Sequence, residues 1–200
     1  GELAAAAAAE VVGAAADALV HLERSIALAG APGVRGSADD AADVDLLVRA
    51  ADAASEAGDS GRAEAFAALA LARHPDQADR VVRAELTERL GTIRLARGDD
   101  AGAIAAFERA FEILPSSPSP ARARMLARLA QVRMLEGRFT RAEDLAAEAI
   151  AVAEAAGPDA RAWLGHAACT LGVVDGWQGR TREAIRRLEG ALAVAVDEGR

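Results

Sequence analysis

Residues 90–115 read LGTIRLARGDDAGAIAAFERAFEILP, and the spacing within them decides the fold. Leu90 and Leu95 mark one helical stretch, and the small Gly91 on it lets a neighbouring helix come close. After Gly98 a second stretch places Ala103, Phe107 and Ala110 on one face, at spacings of four and three. Gly98 lies where the first helix must stop, because a left-handed residue after a helix costs least without a Cβ. The arrangement recurs. Gly58, Gly98, Gly137 and Gly179 are 40, 39 and 42 residues apart, and each is followed five residues later by alanine: Ala63, Ala103, Ala142 and Ala184. Self-similarity at this period is the mark of a stacked helical array.

Leu90-Gly91, Ala103, Phe107, Ala110 and Pro115 fall at offsets that resemble the tetratricopeptide (TPR) pattern. Leu171-Gly172, Gly179, Ala184, Leu188 and Ala191 repeat it, as do Leu129-Ala130, Gly137, Ala142, Ala146 and Ala149. Ala51, Gly58, Ala63, Ala67, Ala70 and Pro75 form a weaker copy. Upstream, Gly13, Ala18 and Leu22-Glu23-Arg24 echo Gly98, Ala103 and Phe107-Glu108-Arg109. The expected fold is all-α, a right-handed superhelix of antiparallel helix pairs forming one domain over residues 1–200. A partial first pair covers 1–30, and full pairs cover about 39–73, 76–114, 119–156 and 159–198. Helices are expected at 2–11, 14–29, 39–57, 60–73, 76–97, 100–114, 119–136, 139–156, 159–178 and 181–198. Ser119-Pro120 reads as an N-cap followed by proline in the first turn. Gly30–Asp40 is expected to be the longest loop and Ser116–Ser119 a shorter linker.

Alanine makes up more than a quarter of the chain, proline and aromatics are sparse, and no stretch alternates as a strand would. All 23 basic residues are arginine; lysine, asparagine and tyrosine are absent. A lysine-containing P-loop and a Schiff-base lysine are therefore excluded. The net charge of −8 falls entirely in residues 1–100, the second hundred being balanced. This argues against binding nucleic acid, which needs a basic face. Cys169 is the only cysteine, so no disulfide framework can form. The Leu3–Ala9 run lies between Glu2 and Glu10 without a basic n-region, so it does not read as a signal peptide. No apolar run approaches a membrane span. A cytoplasmic, soluble segment of a longer protein is expected.

Catalytic equipment is not apparent. His21 has Asp17 four residues earlier and His74 has Asp76 nearby, but neither makes a cluster, so no metal and no cofactor are expected. Cys169, three residues after His166, reads as a buried, inert thiol. Asp39, Asp40, Asp43 and Asp45 complement a helix N-terminus. Arg122, Arg124, Arg128, Arg133, Arg138 and Arg141 read as a solvated, ion-paired face, and Trp163 and Trp177 as fillers between repeats. The better candidate is the concave face, lined in a TPR stack by the first helix of each pair. Carrying the phase of the Gly91 unit along the chain, the groove contacts are Asp45, Asp52, Glu85, Glu88, Thr92, Arg124, Gln131 and His166. The carboxylate clamp of chaperone-binding TPR domains uses lysine and asparagine, and this chain has neither.

A wider resemblance follows from Leu22-Glu23-Arg24-Ser25-Ile26, then Pro118-Ser119-Pro120-Ala121-Arg122-Ala123-Arg124-Met125-Leu126, Leu129-Ala130-Gln131, Met134-Leu135, Gly137-Arg138-Phe139, Ala142 and Thr170-Leu171-Gly172-Val173-Val174. This succession resembles the helical-repeat region of large ATP-binding, LuxR-type (MalT-like) transcriptional regulators of actinobacteria. The resemblance implies a preceding P-loop ATPase and a following DNA-binding helix-turn-helix, whose functional residues lie outside these 200 residues. It implies a non-catalytic segment that receives a protein partner or small effector in its groove and relays the event to those flanking domains. The alternative is a free-standing TPR adaptor holding a peptide or partner protein in its groove. An open-ended array is also compatible with a homo-oligomer.

Overall fold

The computed structural model describes residues 2–29, 39–74, 79–197 and 199, with side chains for 13–28, 42–74, 79–197 and 199. The described residues form helices and the turns that join them, with no strand. The helices are α1 (Glu2–Ala29), α2 (Asp39–Glu56), α3 (Ser60–Arg73), α4 (Arg80–Ala96), α5 (Asp100–Ile113), α6 (Pro120–Leu135), α7 (Phe139–Ala156), α8 (Arg161–Trp177) and α9 (Thr181–Asp197). A 3₁₀ turn, Pro158–Ala160, leads into α8. Two compact units result, Gly1–Ala106 and Phe107–Arg200, and α5 runs through the boundary.

Each repeat glycine performs the same local task. Gly58, Gly98, Gly137 and Gly179 have φ between 75° and 79°, the left-handed region that a side chain disfavours. The next residue folds back in every case. Its N–H bonds the carbonyl five residues earlier: Asp59 to Ala54, Asp99 to Arg94, Arg138 to Arg133 and Arg180 to Asp175, at 2.8–2.9 Å. This is the Schellman closure, which satisfies carbonyls that a helix end leaves open. The following helix starts at once. Asp59 and Asp99 accept from the backbone N–H of Arg62 and Gly102, both at 3.0 Å, and so cap α3 and α5. Ser119 does the same for α6 through Arg122 N–H, with Pro120 at the first helical position.

In the first unit α1 packs on α2, α2 on α3 and α3 on α4. Leu19 of α1 meets Ala50, Ala51 and Ala54 of α2 and Ala63 and Ala67 of α3, with Leu90 and Ile93 of α4 completing that layer. Val44, Leu47, Ala70 and Leu86 form the adjoining one. The alanine five residues after each glycine is buried in all four repeats, because it stands where the second helix turns back against the first. In the second unit α6 packs on α7 and α8 on α9, and α8 also touches both α6 and α7. Two glycines of α8 bring α9 unusually near. A Cβ on Gly165 would lie 2.9 Å from Val194 Cγ1, and one on Gly172 would lie 2.8 Å from Leu188 Cγ.

The structure departs from the sequence reading in several places. No break separates residues 11 and 14: α1 is continuous, and Gly13 lies within it with nothing near an added Cβ. An interior glycine costs about 1 kcal/mol against alanine, and the alanine-rich flanks carry the helix through it. Helix α4 begins at Arg80, capped by Asp79. Helix α8 begins at Arg161, after the 3₁₀ turn. Residues 30–38 of the expected long loop lie outside the described residues.

Candidate functional site

The first helix of each pair supplies the candidate surface. In the first unit α2 and α4 enclose an open depression of about 260 Å³, lined by Val44, Asp45, Val48, Val82, Glu85, Leu86 and Arg89. Val44 and Val48 follow one helical face of α2, and Val82 and Leu86 one face of α4. The floor is therefore apolar, and Asp45 and Glu85 stand exposed at its rim. Asp52 forms an ion pair with Arg89, a half-exposed contact worth little to stability. Among the expected groove residues of this unit, Asp45 and Glu85 thus share one depression and Asp52 adjoins it through Arg89. Glu88 is buried, only 7% exposed. Thr92 is exposed, but its hydroxyl donates to the Glu88 carbonyl at 3.1 Å. Val82 and Leu86 were not among the expected contacts, although their four-residue spacing on α4 was a visible signal.

In the second unit Arg124 and His166, two of the residues expected at the groove, lie beside Trp163 together with Arg128. The Arg124 and Arg128 guanidiniums lie 5.9 and 5.8 Å from its ring centroid, within cation–π range. His166 lies 6.0 Å from the same centroid, its ring tilted by 57°. Burial pushes the His166 pKa down from its ordinary value, and the positive charge of Arg128 adds to the effect. The imidazole is accordingly neutral at pH 7. Gln131 is half-buried on α6. Trp163 packs on Ala123, Ala153 and Ala160, so it fills a gap as expected. Trp177 does not: it is 74% exposed at the end of α8. Cys169 also departs from expectation, being exposed rather than buried, because nothing described covers that side of α8.

The arginine-rich stretch is largely engaged. Arg122 stacks 4.2 Å over the Phe111 ring. Arg133 pairs with Glu136 at 2.7 Å and also with Glu108, and Arg138 approaches Glu136. His21 is exposed, and His74 is half-buried at the end of α3. Among the described residues no group of three histidine, cysteine or carboxylate side chains could hold a metal ion. None of the described helices is long and apolar enough to cross a membrane.

Neither a family model nor a curated protein matches the chain. Solved structures do. A single-residue variant of a Podosopora anserina protein, described as a kinesin light chain with nearly identical TPR-like repeats, aligns over 99% of this chain and 93% of its own, with a TM-score of 0.71 at 20% identity. BtubC (BKLC) from P. vanneervenii aligns over 96% and 74%, with a TM-score of 0.70 at 22% identity. Aspartyl phosphate phosphatase F from Bacillus subtilis has a TM-score of 0.70 at 15% identity, over 80% of this chain and 42% of that one. At such identities the likeness concerns the fold alone: this is an all-helical chain of TPR-like repeats.

Proposed function

We propose that this chain is a non-catalytic protein-interaction scaffold that holds a partner segment against the first helices of its pairs. The observation that carries the reading is the depression on α2 and α4, where an apolar floor is flanked by exposed Asp45 and Glu85. An aliphatic side chain would be desolvated on Val44, Val48, Val82 and Leu86. A neighbouring arginine or lysine on the partner would meet the rim carboxylates, which adds selectivity and association rate more than affinity. TPR-like folds commonly serve such binding, and the acidic first hundred residues suit a basic partner.

The test is selection of random peptides on the immobilised chain. Peptides combining a basic residue with aliphatic ones should be enriched, and a chain carrying Asp45→Arg with Glu85→Arg should lose them. Enrichment of acidic peptides, or indifference to the double substitution, would overturn the reading.

The setting we infer is the sensing segment of a LuxR-type, ATP-dependent regulator, on the strength of the sequence resemblance. An effector would act there by binding one arrangement of the array better than another. A free-standing adaptor would use the same face and differ only in what flanks it. The surrounding coding sequence separates the two: a P-loop before this segment and a helix-turn-helix after it are expected, and their absence defeats the regulator setting.

A further inference from the structure

Two residues before each turn glycine stands a position that is exposed in all four repeats: Glu56, Ala96, Leu135 and Trp177. The first unit fills it with a carboxylate and a methyl group. The second unit fills it with two large apolar side chains, 67% and 74% exposed. Helix α8 packs beside α6 and still leaves Leu135 bare. The exposure therefore belongs to the register: a further helix beside α8 would leave Trp177 bare in the same way. Helices α6 and α8 are each antiparallel to α7 and pack on one another, so their closing turns lie at one end of the unit. Packed helix axes are about 8–10 Å apart, which puts Leu135 and Trp177 in one patch.

The charge around these turns also changes between the units. One residue after the glycine, Asp59 and Asp99 cap α3 and α5. Helix α7 has Arg138 there, and its side chain makes no capping bond. A cation at a helix N-terminus opposes the macrodipole, so local stability was given up at this place. Arg138 is 65% exposed and 3.8 Å from Glu136. Arg141 and Arg182 stand exposed on the first turns of α7 and α9. The neighbouring acids are engaged, Glu136 by Arg133 at 2.7 Å, Glu143 by Arg180 and Glu183 by Arg186 at 3.3 Å. Asp144 lies more than a turn further into α7. At the matching turns the first unit has Glu56, Asp59, Asp99 and Asp100.

The shape of the patch favours one kind of occupant. Both apolar side chains project from helix ends, Trp177 between exposed Gly176 and Gln178 and Leu135 ahead of exposed Glu136 and Gly137. A protein partner would need a separate socket for each projection. A whole tryptophan offers about 150–250 Å², whereas a stable protein interface buries about 800 Å² on each side. A lipid surface closes around projecting side chains without a preformed socket. Indole rings settle at the level of the headgroups, and anionic headgroups attract arginine.

We propose that the turn edge formed by the ends of α6 and α8 docks on an anionic bilayer surface. Trp177 and Leu135 enter the headgroup layer, and Arg138, Arg141 and Arg182 meet lipid phosphates. The contact uses helix ends, and it is independent of the peptide contact proposed for α2 and α4.

The probes are vesicles of phosphatidylcholine, alone or with about one-third phosphatidylglycerol. At low salt the chain should co-sediment with the anionic vesicles and at least about tenfold less with the neutral ones. Its indole emission should shift to the blue on binding, and Trp177→Ser should remove the shift while Trp163 remains. Trp177→Ser and Leu135→Ser should each weaken binding about tenfold, and Arg138→Gln about fivefold. All three positions are exposed, so circular dichroism should show unchanged helicity. Leu28→Ser, at an equally exposed leucine of α1, should bind as the unaltered chain does. The proposal is overturned if the anionic vesicles are not bound, if Trp177→Ser binds as well as the unaltered chain, or if Leu28→Ser weakens binding as much. It is also overturned if an acidic leucine-containing peptide shields Trp177 from a soluble quencher while the vesicles do not, which would make a protein the occupant.

Discussion

Replacing Gly165 by alanine puts the packing of the last helix pair to a quantitative test. Gly165 lies inside α8, where alanine is favoured over glycine by about 1 kcal/mol from backbone entropy. Were that the only effect, Gly165→Ala would stabilise. The new Cβ, however, would stand 2.9 Å from Val194 Cγ1 and 3.2 Å from Val194 Cβ. Valine in a helix has one strongly preferred rotamer, so its methyl cannot swing aside cheaply. The helices must separate by a few tenths of an ångström, and such overpacking costs about 1–3 kcal/mol. The net expectation is a loss of about 1–2 kcal/mol at the upper part of that range. In a chain of this size it lowers Tm by about 2–8 °C, at 2–4 °C per kcal/mol. Gly190→Ala in α9 is the internal control, because nothing lies within 4 Å of its added Cβ. It should gain about 1 kcal/mol. Adding Val194→Ala to Gly165→Ala removes the nearest methyl and should recover part of the loss, a coupling that a double-mutant cycle reads directly. Thermal or urea denaturation followed by circular dichroism is the assay. If Gly165→Ala and Gly190→Ala stabilised equally, the close approach of α8 and α9 would be refuted.

Gly98→Val should cost about 1–2 kcal/mol, the usual left-handed penalty, since Gly98 has φ +79°; an unchanged Tm would place Gly98 in an ordinary helical conformation. Gly13→Ala should stabilise by about 1 kcal/mol, whereas a helix end at that glycine would make the change unfavourable. Asp175 is buried and joins Arg180 at 2.5 Å and Arg187 at 2.8 Å. Asp175→Asn should therefore lower Tm more than Arg186→Ala, whose partner Glu183 lies on the surface; equal effects would show that the buried carboxylate contributes no more than a surface pair. The lowered pKa of His166 means that the unfolded chain takes up a proton first as pH falls below about 6.5. Its contribution to stability is full above that pH and is lost as pH falls towards the folded value. His166→Gln should flatten the Tm–pH profile between about pH 7 and 5, and an unaltered profile would dismiss His166 as its source.

How much was legible in the sequence varied with the range of the forces involved. The Gly58, Gly98, Gly137 and Gly179 turns could be read because a left-handed closure and its returning hydrogen bond involve only six consecutive residues. The alanines five positions on could be read because the same turn brings them against the preceding helix. The exposure of Asp45 and Glu85 followed from helical phase within α2 and α4. Phase did not foresee that Glu88 is buried, nor did the reading of Trp177 as a filler foresee its exposure. Those outcomes depend on which helix lies over each position, and such neighbours are distant in the chain. Gly13 and Gly98 look alike locally, yet one continues a helix and the other ends it. Chain order alone established helical repeats of this period. Only the tertiary structure decided that α8 fills the channel between α6 and α7 and that Glu88 is buried, because burial is set by neighbours in space.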